Sequence, residues 1–181
     1  ASQLVAPVLA HQVGAGAEHP VHFVDGWEVW ITKYLVSVRE IRVADSTGEL
    51  AHHDRAGFVV DLTRDATDLD RIALPAQRWD AIDAELRPPV FMESLAAEGI
   101  LDTEVLAMEQ AGAAYWVQGI AHHAESGRNL HFSFPIDLEA AYLNCTNGED
   151  GSAGLIVRRA TTTQMRLNFH IEHLFYADLG A

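Results

Sequence analysis

Residues 27–43 read WEVWITKYLVSVREIRV, and the alternation of their apolar side chains decides the fold. Trp27, Val29 and Ile31 occupy odd positions, Tyr34, Val36 and Val38 even ones, and Ile41 and Val43 odd ones again. Successive residues of a strand point to opposite faces, so this is β periodicity whose phase changes along the run. A phase change of that kind predicts a bulge or bend, or a strand buried on both faces. Asp45 to Glu49, DSTGE, is turn chemistry that closes the run.

Outward from this run the same period recurs. GFVVDL, 57–62, reads as a short strand, followed by an acidic loop with Asp65, Asp68 and Asp70. In QRWDAIDAEL, 77–86, Ile82, Ala84 and Leu86 alternate with charged residues, and Arg87-Pro88-Pro89 ends the strand because proline cannot donate to a ladder. Between 90 and 112 the pattern changes to helix formers, with Asp102 as the expected N-cap and Gly112 as the residue that stops the helix. The β pattern returns in AYWVQGIAHHAESGRNLHFSFPI and in TTTQMRLNFHIEHLF near the C-terminus. The expected fold is mainly β, an antiparallel β-sandwich with a short helical insertion. It is expected to form one domain over 1–181, with 1–20 as an extended N-terminal arm and 90–112 as the insertion.

With 26 acidic against 12 basic residues, the formal net charge is −14, which repels phosphate backbones and anionic membrane surfaces and concentrates cations. Nucleic acid is excluded as an expected partner. No apolar run is long enough for a membrane-spanning helix. The opening ASQLVAPVLA carries no basic n-region, so any signal peptide is expected to have been removed already. Cys145 is the single cysteine, which rules out an internal disulfide.

Ten histidines are roughly two to three times what average composition supplies. They cluster at His11, His19 and His22; at His52 and His53; at His122, His123 and His131; and at His170 and His173. Imidazole is the commonest protein ligand for zinc and copper, and it is largely unprotonated at neutral pH. In the hairpin around ESGRN, Trp116 and Ile120 are apolar at even positions and so are Leu130, Phe132, Phe134 and Ile136. Aligning those faces around Gly127 sets His123 opposite His131, with Cβ atoms about 5 Å apart.

That pair is the leading metal site, with His170 and Glu172 joining from the polar face of the C-terminal strand. His122 then falls on the apolar face as a packed histidine. A second group is His19 and His22, beside Asp25 and Trp27; His52-His53-Asp54 ranks third. Calcium is a further candidate at NGEDG, 147–151, and around Asp61, Asp65, Asp68 and Asp70, although neither has EF-hand spacing. No GxSxG, GxGxxG, P-loop or HExxH motif is present, so no catalytic residues are expected.

The order KYLVSVREIRVADSTGEL, then VVDL, then LPAQRWDAIDAEL, with the later strand YWVQGIAHH, resembles exported bacterial β-sandwich proteins that include the methanobactin-associated copper-binding family. The resemblance implies a periplasmic or secreted location and copper held by histidine and in some members by an oxidised tryptophan; that family is encoded beside dihaem proteins, and a protein partner for metal transfer or redox is expected here. Paired cysteines found in some such proteins are absent here. The expected function is therefore transition-metal binding, copper or zinc, for uptake or handling and without catalysis. Two other classes remain: a metal-free interaction or adhesion module using Trp27 and Trp30, and a calcium-dependent carbohydrate binder.

Overall fold

The computed structural model describes residues 2–8, 20–54, 57–64, 67–146 and 151–164. The strands in chain order are β1 Ser2–Val8, β2 Val21–His22, β3 Trp27–Ala44, β4 Leu50–Asp54, β5 Phe58–Asp61, β6 Thr67–Leu74, β7 Arg78–Trp79, β8 Ala81–Leu86 and β9 Leu95–Ala96. Helix α1, Asp102–Ala111, is followed by β10 Tyr115–His123, β11 Arg128–Ile136, β12 Ala140–Tyr142, β13 Leu155–Ile156 and β14 Thr162–Gln164. The fold is mainly β with a short helical insertion, as the periodicity predicts.

β3 is the spine of the largest sheet, whose main path runs β11-β10-β3-β5-β9. β10 and β8 pair with successive stretches of β3, and β2, β5 and β4 also pair with it. The predicted phase changes are real and have separate causes. Gln118 pairs with Lys33 but Gly119 pairs with Ile31, so Thr32 is an extra residue, a bulge. Arg39 pairs with Glu85 but Arg42 with Asp83, another extra residue, and there Glu40 adopts the left-handed region at φ 53°. These bulges return Val29, Ile31, Tyr34, Val36, Val38 and Ile41 to one apolar cluster, shared with Phe58, Val60, Leu86, Tyr115 and Val117.

The opposite face of β3 is buried too. Leu35 packs with Val59, Ile100, Val105 and Met108, so α1 closes that side. Burial of each such side chain is worth about 1.5–3 kcal/mol. Where Thr32 disturbs the ladder, Asp61 Oδ1 accepts from the Tyr34 amide at 3.2 Å and from the Thr63 hydroxyl at 2.7 Å. A third cluster joins Val43 to Ile72, Leu74, Trp79 and Val157.

Several local expectations are corrected. Ser2–Val8 is not a loose arm: it pairs antiparallel with β6 and parallel with β14. Asp68 and Asp70 lie in β6, not in a loop. Within 90–112 only Asp102–Ala111 is helical, and its N-cap is Leu101; Gly112 ends it at φ 62°, as predicted. Residues 95–96 instead pair parallel with β5. Pairings β1–β14 and β5–β9 thus depart from an all-antiparallel arrangement.

Candidate functional site

The β10–β11 hairpin turns through 124–127, with Gly127 at φ 64° and its amide donating to the His123 carbonyl at 2.9 Å. His123 therefore pairs with Arg128, and His131 pairs with Ile120. The predicted opposition of His123 and His131 is not formed. The reason is parity: on β10 the odd residues Tyr115, Val117 and Ala121 are the buried ones, and Trp116 and Ile120 point the other way. Gly119 sits opposite Phe132, whose ring occupies the space a side chain would need; a Cβ there would lie 2.3 Å from Phe132 Cζ.

The reversal exchanges the roles of His122 and His123. His123 Nε2 lies 3.0 Å from the Asp25 carbonyl oxygen, which can only accept, so that nitrogen carries the proton. Its Nδ1 accepts from the Ser126 amide at 3.2 Å, and its ring meets Trp27 edge-on at 5.1 Å between centroids. Both nitrogens are engaged in tying the loop at Asp25–Gly26 to the hairpin turn. No lone pair is left for a metal.

His122 lies on the opposite face, which is polar at this end of the sheet. Its Nδ1 is 2.9 Å from Asn129 Oδ1. An amide oxygen accepts, so Nδ1 is the protonated nitrogen and Nε2 keeps its lone pair. The register places His122 directly opposite both Asn129 and Glu28, and Glu28 directly opposite His22. One row across β2, β3, β10 and β11 thus reads His22, Glu28, His122, Asn129. His22 Nδ1 is 3.3 Å from Glu28 Oε1. The neighbouring row on this face contains Trp30, Ile120 and His131.

Glu28 was missed by sequence reading because β2 is a pair of residues, too short to show a period. His22 and His131 do share the face, although His131 faces Ile120 instead of His123. His19, His170 and Glu172 lie outside the described residues, as do most of NGEDG and Asp65. β14, the described part of the stretch expected as the C-terminal strand, pairs with β1 in a separate sheet from the hairpin. Asp61, offered as a calcium ligand, is buried and already accepts from Tyr34 and Thr63.

Elsewhere, buried Glu85 is neutralised by Arg42 and by Arg87, whose Nη2 lies 2.8 Å from Oε2. Burial, and then the nearby Asp83 carboxylate, push the Cys145 thiol pKa up, so it is a poor nucleophile. Among the described residues, no three His, Cys, Asp or Glu side chains converge on a common point as a closed metal cage would require. No protein-family model matches the chain, and no curated protein or solved structure matches it.

Proposed function

We propose that the protein binds a transition-metal ion, zinc or copper, on the open face carrying His22, Glu28 and His122, with His131 in the adjoining row. The observation that carries this reading is the orientation of His122 by Asn129, which leaves Nε2 as the ligand nitrogen, the usual arrangement behind a metal-binding imidazole. His22 and His122 are separated by two strand spacings, roughly 10 Å, with Glu28 between them. Each imidazole can span about half that distance, so an ion above Glu28 requires rotation of the exposed His22 side chain only, His122 staying as Asn129 holds it. An open, shallow site of this kind suits loading and release more than catalysis, in keeping with metal handling by an exported protein. Copper as the cargo, and a redox or transfer partner, rest on the resemblance in element order.

Calorimetric titration of the metal-free protein with Cu(II) and Zn(II) tests the reading. His122→Ala and Glu28→Gln are expected to weaken binding, and Asn129→Ala to weaken it by about 10–100-fold, the usual effect of losing an orienting partner. His123→Ala should lower thermal stability and leave affinity unchanged. Absence of binding, or affinity indifferent to His22→Ala and His122→Ala, would sink the proposal. A second reading, a protein-interaction module, is favoured by the exposed apolar side chains of β11.

A further inference from the structure

Among the described residues β11 is an edge strand, bonded within its sheet to β10 alone. Its two faces differ. Leu130, Phe132, Phe134 and Ile136 share the face of the main core, yet Leu130 keeps 45% and Phe134 39% of its surface exposed. From Arg128 to Ile136 the strand contains no acidic residue, in a chain that has 26 of them. An edge with one apolar face and no acidic residue, unpaired among the described strands, is a template for another strand.

The register identifies which backbone groups are free. The hairpin closes at the pair His123–Arg128, and Pro135 pairs with Trp116. A proline fits an edge strand where its nitrogen faces away from the ladder. In an antiparallel pair bonded and non-bonded positions alternate, so Asn129, His131 and Ser133 share the outward orientation of Pro135. Their amides and carbonyls point away from β10.

We infer that this edge pairs antiparallel with β11 of a second copy of the chain, about a two-fold axis at His131. It does not depend on the metal reading. In this register His131 pairs with His131 of the other copy and Asn129 with Ser133, so every outward amide of both strands finds a carbonyl and Pro135 lies beyond the ladder. On the apolar face Leu130 meets Phe132 of the other copy, and Arg128, the one charged residue of the strand, lies across from Phe134. An isologous contact suits a molecule of net charge −14, because along a strand with no acidic residue two such chains approach without carboxylate facing carboxylate. A strongly cationic strand from another protein would find no acidic residue here to recognise.

Sedimentation velocity of the full chain over a concentration series is the primary test, with a dimer that grows with concentration as the expected result. His131→Pro and Phe134→Lys should each raise the dimer dissociation constant roughly tenfold or more. Far-UV circular dichroism should stay unchanged, because both act at outward or exposed positions. If His131→Pro fails to fold, a cross-link supplies the test. In a Cys145→Ser background, His131→Cys at the axis should oxidise to a covalent dimer, since bonded antiparallel pairs place Cα atoms about 5.5 Å apart; Ser126→Cys should not. In hydrogen exchange, amides 129, 131 and 133 should be fast in dilute monomer and slow in dimer. A monomer at every concentration overturns the proposal, whether those amides exchange fast (an open edge) or slowly (an edge covered by another part of the chain). A dimer insensitive to His131→Pro and Phe134→Lys overturns it as well.

Discussion

At Gly119 a hydrogen stands where any other residue would place a carbon 2.3 Å from Phe132 Cζ and from the Trp30 carbonyl oxygen. Gly119→Ala should cost about 1–3 kcal/mol, because backbone and ring must both shift. Urea denaturation should show a lower midpoint at an unchanged slope. This one position also explains why the site was only partly legible. Apolar parity in β10 reads from its largest side chains, Trp116 and Ile120, whereas the buried set includes Ala121 and Gly119, the latter without a side chain where Phe132 packs. A glycine leaves no mark in a hydrophobic pattern, so the histidines at 122 and 123 were assigned to the wrong faces. Their presence as a functional candidate was readable; which of them keeps a lone pair depends on Asn129 and Asp25, contacts no local spacing encodes.

Among the elements, α1 shows how much of a helix its sequence determines. The stop at Gly112 was legible because a left-handed C-terminal residue favours glycine. The start was not, because Leu101 offers no side-chain cap and Glu104 reaches back to its amide at 2.9 Å. FMESLAAEG has helical composition, but the amides of Leu95 and Ala97 donate to Gly57 and Val59 instead. Burial works to raise the Glu104 pKa, and the Leu101 amide and the Lys33 ammonium outweigh it, so the carboxyl sits below its ordinary value. A depressed folded pKa stabilises in full above the unfolded value, about pH 4.3, and the contribution is lost as pH falls through the folded value. Glu104→Gln should therefore lower the melting temperature at neutral pH and narrow its gap to wild type as the solution is acidified, as a pH series of thermal melts would show.

For the molecule as a whole, the mainly-β class followed from period alone, and even the bulges of β3 were visible as phase changes. The neighbours of each strand were not. β1 lies between strands that begin at Thr67 and Thr162, and no local pattern announces a partner so far along the chain. The same holds for the short parallel contact of β9 with β5.

β3 gives that topology a consequence in time. β2 and β4 can join β3 as local hairpins, but β5, β8 and β10 reach it from as far along the chain as Ile82 and His123, so much of its pairing cannot be secured locally first. Loop closure has to precede most of the reward, which places refolding in the millisecond-to-second range expected of chains rich in non-local pairings. Stopped-flow refolding should show this slow phase. Ile31→Val and Val38→Ala, at opposite bulges, should retard it together if the spine condenses as one nucleus.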